Sequence, residues 1–171
     1  MSRRILAIDP ALRNTGFAVL ELAEGMRDPV ALTYGTISNS KKLRQSSCLL
    51  AITEELRAVI KAYAPTECAV EGIIFVQSYK TAITMGAARG AALIAAAEAG
   101  LEIREYAPRR VKQAIVGKGA ADKSQVVFMV RALLGLRESP DPDAADALAI
   151  GITHIRASNA KHLQGEEPDL I

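Results

Sequence analysis

The first third of the chain contains three short runs of β-favouring residues. They are Ile5 to Ile8, Phe17 to Leu22 and Val30 to Ile37, and runs of this length and spacing are typical of neighbouring strands. Turn-forming residues separate them, namely Pro10, Asn14, Gly16, Asp28 and Pro29. The pattern predicts three antiparallel strands joined in sequence order.

After the third run, helical and strand patterns alternate. A long amphipathic helix is predicted over Lys42 to Tyr63, followed by a strand at CAVEGI, a small-residue helix at TAITMGAARGAALIAAAEAG and another strand at LEIREYA. From Pro108 onward the pattern is helical to the end. This order predicts an α/β domain with a central mixed five-stranded sheet, in which three antiparallel strands precede parallel ones and helices flank the sheet.

Chain length and composition limit the number of domains and the cellular compartment. With 171 residues, 50% of them hydrophobic, the chain suffices for one well-buried domain. We predict a domain over residues 1–156 and a polar, loosely held tail over 157–171. In the N-terminal stretch MSRRILAID, the apolar run before the first acid is too short for the hydrophobic core of a signal peptide. Two cysteines, Cys48 and Cys68, lack metal-type spacing, so a reduced cytoplasmic protein is expected.

Two carboxylates follow buried-type strand residues. Asp9 comes directly after the run ILAI, and Glu71 follows Ala69 and Val70 in the fourth predicted strand. Burying a carboxylate is costly unless a partner or a metal ion neutralises it. A turn role before Pro10 is the alternative for Asp9, and an exposed edge position is the alternative for Glu71.

Three more carboxylates begin the helix predicted in DPDAADALAIGITHI, residues 141–155. Asp141 and Pro142 suit the N-cap and the first helical position, and Asp143 suits the positive end of the helix dipole. Asp146 shares a face with Asp143 that is otherwise apolar. Two acids on one face repel each other and require a cation. A helix start with Asp146 at a hydrated edge is the alternative.

These carboxylates can meet if the first and fourth strands are neighbours. Asp9 and Glu71 would then lie beside the start of the Asp143 helix, with few basic residues nearby to pair with them. A cluster of carboxylate oxygens suits Mg²⁺ or Mn²⁺ rather than zinc. Two such ions about 3.5–4 Å apart act on the attacking and leaving oxygens of a phosphodiester. The arrangement therefore predicts a nuclease site.

Positive charge is concentrated in one segment. The net charge of the chain is +2, whereas residues 104–123 alone carry six basic and two acidic side chains. Clustered Lys and Arg residues displace counterions from phosphates, which indicates a polyanion-binding surface. A solvated helical face is the alternative. The basic residues are Arg104, Arg109, Arg110, Lys112, Lys118 and Lys123.

Five blocks of the sequence resemble the RuvC family of bacterial Holliday-junction resolvases, in the same order and at matching separations. They are IDPALRNTG, VEGIIF, TAITMGAARGAALIAA, EYAPRRVKQAIVGKGAADKSQVVFMVRALLGL and DPDAADALAIGITH. The resemblance covers Arg4 to His154. It implies a ribonuclease H-like nuclease domain that uses two Mg²⁺ ions per active site, or Mn²⁺ in their place. It also implies symmetric nicking of four-way junctions in recombination and repair, which leaves 5′-phosphate ends.

The resemblance assigns roles to particular residues and implies partners. The catalytic and metal-binding acids of the family fall on Asp9, Glu71, Asp143 and Asp146, and its DNA-contacting lysines fall on Lys112 and Lys123. Arg109, Arg110 and Lys118 are expected to extend the DNA-binding surface. The implied partners are four-way junction DNA, a second copy of the chain and the RuvA–RuvB branch-migration complex, and no membrane is involved.

The chain departs from the family at a residue expected to contact bases. The family commonly has an aromatic residue where this chain has Ile74. Phe75 or Tyr79 could stack on a base instead, although core packing explains Phe75 equally well. The small-residue helix, which contains Gly86 and Gly90, is the candidate dimer surface, and packing on the protein's own sheet is its alternative.

Two rival functions come from other classes. A junction-binding protein without nuclease activity would share the basic segment, although all four family acids are present here. An actin-like ATPase also opens with a strand, an acid and a glycine turn, as AIDPALRNTG does. Such an ATPase needs a second phosphate loop and an adenosine pocket, for which 171 residues leave little room.

Overall fold

A computed structural model describes residues 2–74, 76, 78–160 and 169–171. Its centre is a six-stranded sheet with the order β3-β2-β1-β4-β5-β6. β1 pairs antiparallel with β2 and parallel with β4, while β5 continues the parallel part and β6 runs antiparallel to it. The strands are β1 (Arg3–Asp9), β2 (Asn14–Leu22), β3 (Val30–Ser38), β4 (Glu67–Glu71), β5 (Glu102–Tyr106) and β6 (Asp169–Leu170).

Helices cover both faces of the sheet. Helices α1 and α2 pack on one face, and α3, α4 and α5 pack on the other. The helices are α1 (Gln45–Tyr63), α2 (Tyr79–Glu98), α3 (Pro108–Val116), α4 (Lys123–Leu134) and α5 (Pro142–Ala160). None of the helices in the described ranges has the length and apolar character needed to cross a membrane.

β1 lies at the centre of the core because its side chains alternate between the two helical layers. Ile5 and Ala7 pack in the cluster that includes α5, whereas Leu6 and Ile8 pack in the cluster that includes α1 and α2, and all four are fully buried. Fully burying an aliphatic side chain of this size stabilises a fold by about 1.5–3 kcal/mol. The hydrophobic run before Asp9 therefore fixes that acid at the end of a rigid central strand.

α5 lies unusually close to the sheet where two glycines face it. A Cβ atom on Gly16 of β2 would lie 2.7 Å from the carbonyl carbon of Asp143. A Cβ atom on Gly151 of α5 would lie 3.2 Å from Cβ of Ala7 and closer still to the side chain of Leu20. The absence of side chains at these two positions lets the start and the middle of α5 approach the sheet directly.

The structure corrects several sequence-based predictions in detail. The sheet has six strands rather than five, because Asp169 and Leu170 pair with β5 and satisfy part of its edge. α5 continues through Ala160, past the position where the tail was expected to begin. Asn14 and Gly16 lie within β2 and not in a turn. α1 begins at Gln45, three residues later than predicted.

Candidate active site

Two parallel strands bring the first pair of acids together. β1 and β4 are neighbours in register, with Ile8 opposite Val70, so Asp9 and Glu71 leave the sheet side by side at the same edge. The condition on which the predicted site depends, that the first and fourth strands are neighbours, is therefore met. β4 lies between β1 and β5, so the alternative of an exposed edge position for Glu71 is wrong.

α5 carries the second pair of acids to the same edge. Its first residue is Pro142, which confirms the predicted helix start. Asp143 is held against β2 through the close approach at Gly16. Asp146 lies on the following turn, and its side chain retains only 24% of its accessible surface. Asp146 is therefore not at the hydrated edge that the alternative interpretation required.

The carboxylates of Asp9, Asp143 and Asp146 form a compact group. One oxygen from each lies within 4.8 Å of the oxygens of the other two. Glu71 adjoins this trio in the same cleft, where its carboxylate and that of Asp9 perturb each other's pKa. Hard divalent cations such as Mg²⁺ and Mn²⁺ prefer oxygen ligands. The donor set and its spacing therefore fit a metal centre of the kind that the sequence predicts.

Burial and mutual repulsion perturb these acids. Burial, and to a smaller extent the negative charge of Asp146, raise the pKa of Asp9 to about 6, although the positive charge of Lys123 lowers it. Burial and then the charge of Asp9 raise the pKa of Glu71 to about 8. Burial also raises the pKa of Asp146. A divalent cation would relieve this repulsion.

Two lysines complete the cleft around the acids. Lys123 begins α4, where the Asp122 side chain caps the helix, and its Nζ lies 3.3 Å from Oδ2 of Asp146. The charge of Asp146 raises the pKa of Lys123. Basic groups are therefore closer to the acids than the sequence suggested. The cleft has a volume of about 210 Å³ and is lined by Asp9, Glu71, Pro108, Val111, Lys112, Lys123, Val126 and Asp146.

The other predicted DNA-binding residues that the structure describes do not line the cleft. Arg109 is exposed on α3, and Lys118 is exposed in the loop between α3 and α4. The guanidinium of Arg110 lies 5.7 Å from the centre of the Tyr106 ring. Tyr79 is 91% exposed and Ile74 is 69% exposed. Phe75 lies outside the described residues.

A partly buried chain of polar side chains, which the sequence does not reveal, connects α5 to three strands. Arg3 donates two hydrogen bonds to Glu67, at 2.8 and 2.7 Å. Glu67 lies 2.8 Å from Nε2 of His154, whose Nδ1 lies 2.9 Å from the Tyr106 hydroxyl. The hydrogen bond from Arg3 lowers the pKa of Glu67 to about 2. His154 is separated from Glu67 by 87 residues of sequence, so no local pattern predicts their contact.

Comparisons with known proteins agree with this geometry. Residues 5–154 match the family described as crossover junction endodeoxyribonuclease RuvC. The crossover junction endodeoxyribonuclease RuvC of Akkermansia muciniphila is 62% identical over 152 residues, which cover 89% of this chain and 90% of that protein. The protein of the same description from Caldicellulosiruptor saccharolyticus is 42% identical over 165 residues, which cover 96% and 99%.

The fold is also similar to that of a solved complex. The structure of T. thermophilus RuvC in complex with a Holliday junction substrate has a TM-score of 0.87 and 32% identity, and the alignment covers 99% of both chains. This likeness confirms the expected ribonuclease H-like fold. With a family match over residues 5–154, a matching architecture and near-complete coverage, this chain belongs to the RuvC family of crossover junction endodeoxyribonucleases.

Proposed function

We propose that this protein is a metal-dependent endodeoxyribonuclease that resolves Holliday junctions by symmetric paired nicks during recombination and repair. The observation that carries the proposal is the convergence of Asp9, Asp143 and Asp146 within 4.8 Å, in a chain whose family cuts crossover junctions. The raised pKa of Asp9 supports it, because perturbed carboxylates in a cleft mark functional sites more often than structural ones.

The four acids are the proposed catalytic and metal-binding residues. Asp9, Glu71, Asp143 and Asp146 would together hold two Mg²⁺ ions, which Mn²⁺ can replace. When bound, such ions supply Lewis-acid stabilisation of the charge that develops on the phosphate oxygens. The rigid ends of β1 and β4 fix Asp9 and Glu71, and the close approach at Gly16 fixes Asp143. In-line attack of water on the phosphorus would break the bond to the 3′ oxygen, which leaves with a proton, and so would give 5′-phosphate and 3′-hydroxyl ends.

The lysines of the cleft are proposed to hold the DNA backbone. Lys112 and Lys123 line the cleft from α3 and α4, so a phosphodiester that reaches the acids passes between two positive charges. The side chain of Lys123 is 67% exposed, so its ammonium group can leave its ion pair with Asp146 and bind a phosphate without any rearrangement of the core. Arg109, Arg110 and Lys118 extend the positive surface beyond the cleft, and exposed Tyr79 is available for stacking on a base.

Resolution of a junction also requires two active sites, because two strands related by a near two-fold axis must be cut. A homodimer with an isologous interface supplies them. One face of α2 is not available for this contact, because Ala88 and Ala91 pack in the protein's own core and are only 0% and 7% exposed. We therefore place the dimer contact on the opposite face of α2, where Ile83 and Ile94 are 71% and 53% exposed.

Glycines make this opposite face suitable for close helix contact. Gly86 and Gly90 lie between Ile83 and Ile94 at helical spacing, and a Cβ atom on either glycine would meet nothing within 4 Å. Ile83→Arg should give a monomer in sedimentation experiments that no longer makes paired cuts. Met26→Arg, in the β2–β3 loop, is the matched control. A dimeric Ile83→Arg variant that still makes paired cuts would refute this placement.

The nuclease proposal is tested with a synthetic four-way junction, a linear duplex and a single strand. With Mg²⁺, the junction alone should be cut in two opposed strands, and DNA ligase should reseal the products because they carry 5′-phosphate ends. EDTA should stop the reaction. Junction binding without any cut under these conditions would instead support the rival function of a junction-binding protein.

Two further expectations concern the cell. Cys48 and Cys68 are buried free thiols, which suits the reducing cytoplasm. The family assignment makes the RuvA–RuvB branch-migration complex the expected protein partner. Co-sedimentation of the three purified proteins on a four-way junction tests this partnership.

A further inference from the structure

A groove between α4 and the start of α5 leads away from the acidic cleft. Its volume is about 390 Å³, and its walls include Lys123, Val127, Phe128, Arg131 and Pro142. Lys123 also lines the acidic cleft, and Pro142 immediately precedes Asp143. The groove and the cleft are therefore neighbours that share Lys123 as a wall, and the groove lies next to the acids on this side.

The side chain of Phe128 forms a ridge at this groove. It is 68% exposed, although a phenyl ring gains more from burial than most side chains do. A second groove, of about 410 Å³, borders the same ring and is lined by Val116, Ser124, Gln125 and Met129. An aromatic ring between two grooves presents a surface on which a planar group can stack.

The charges around the ridge favour a nucleic acid as its occupant. Lys123 lies at the end near the acids. Arg131 lies three residues beyond Phe128, less than one turn further along α4, and its guanidinium donates to the carbonyls of Leu136 and Arg137. Among the described residues that line the two grooves, none is acidic. An apolar surface between cations matches a nucleotide, whose base is apolar on its faces and whose phosphate is negative.

We propose that the Phe128 groove holds a nucleotide that flanks the scissile phosphate, with its base stacked on the Phe128 ring. This proposal rests on the proposed nuclease function and names a subsite within it. Phe128 supplies this ring from α4. The phosphates of the same strand pass Lys123 and Arg131.

The test is a double-mutant cycle between the ring and single bases. Junctions carry one abasic nucleotide at successive positions on either side of the cut, and their dissociation constants are measured with Asp9→Asn protein, in which nicking is expected to be absent. Phe128→Ala should weaken binding of the intact junction about 10- to 100-fold, and Phe128→Tyr should restore it. If Phe128 stacks on one base, an abasic nucleotide at that position should weaken junction binding by the parent protein, which keeps Phe128. The same abasic nucleotide should leave binding by the Phe128→Ala protein unchanged.

The controls separate this proposal from its rivals. Met26→Ala removes an equally exposed apolar side chain from the β2–β3 loop, at the opposite end of the sheet from Asp9, and should bind as the parent does. Unchanged binding of Phe128→Ala, or additive effects at every abasic position, would overturn the proposal. Loss of self-association in Phe128→Ala would also overturn it, because the ridge would then be a protein interface. Failure of wild-type protein to cut any junction would instead count against the nuclease function itself.

Discussion

Replacing Gly16 with alanine should inactivate the nuclease while leaving most of the fold intact. The new Cβ atom would lie 2.7 Å from the carbonyl carbon of Asp143 and 3.4 Å from the backbone nitrogen of Ala144. Non-bonded carbon atoms prefer separations of about 3.5–4.0 Å. The start of α5 must therefore move by about 1 Å, and it carries Asp143 away from Asp9.

The size of the effect follows from this displacement. A misplacement of about 1 Å in a catalytic constellation costs about 100-fold in rate. Overpacking of this kind destabilises a fold by about 1–3 kcal/mol, which lowers Tm by about 2–12 °C in a chain of this size. Catalysis should thus be lost far more completely than stability. Junction binding should persist, because Lys112 and Lys123 belong to other helices.

The assay compares single-turnover nicking of a four-way junction, junction binding and Tm for wild type, Gly16→Ala and a control. Gly35→Ala is the control because its Cβ would meet only the Phe17 ring, at 3.2 Å, which small ring movements can accommodate. A folded Gly16→Ala protein that nicks at the wild-type rate would show that the close approach of α5 does not position Asp143.

Three other predictions follow from the charges of the protein. Lys112→Ala and Lys123→Ala should each weaken binding to all junction sequences alike and lower the magnitude of the slope of log K against log salt by about one. Fluorescence anisotropy measures both quantities. A loss of affinity confined to one junction sequence would contradict this prediction. The pKa of Asp9 is about 6 in the folded protein instead of its ordinary 3.8. Ionisation of Asp9 therefore destabilises the metal-free fold progressively as the pH rises from 3.8 to about 6, and above that pH the full cost is about 3 kcal/mol. Asp9→Asn should raise Tm in EDTA at pH 8 but not at pH 3. The pKa of Glu67 is lowered from 4.5 to about 2, so its ion pair with Arg3 stabilises the fold fully above pH 4.5, and this stabilisation is lost as the pH falls towards 2. In urea denaturation, Glu67→Gln should have a lower free energy of unfolding than wild type at pH 7. This difference in free energy should shrink between pH 4.5 and pH 2.

The order of elements and the catalytic acids could be predicted from the sequence, because both leave local signals. Strands and helices differ in hydrophobic period, and an acid such as Asp9 or Glu71 is conspicuous directly after a buried-type run. The sequence does not show whether β1 and β4 are neighbours, and the predicted site depends on their being so. The structure shows that they are neighbours through the parallel register of these strands.

The remaining features depend on contacts between distant parts of the chain. The chain from Arg3 through Glu67 and His154 to Tyr106 has no pattern within any one segment. Gly16 looks like a turn residue until α5 is seen to pack against it. β6 has two residues, too few to show alternation, and so the predicted sheet lacked it.

The most direct test of the proposed function is junction nicking by wild type and Asp9→Asn at saturating Mg²⁺, with junction binding measured on the same preparations. Asparagine keeps the shape of the side chain and removes the charge that the metal centre requires. We predict that Asp9→Asn binds the junction with nearly wild-type affinity and makes no detectable cuts. Cutting by Asp9→Asn at close to the wild-type rate would contradict the assignment of the acidic cluster as the catalytic metal site.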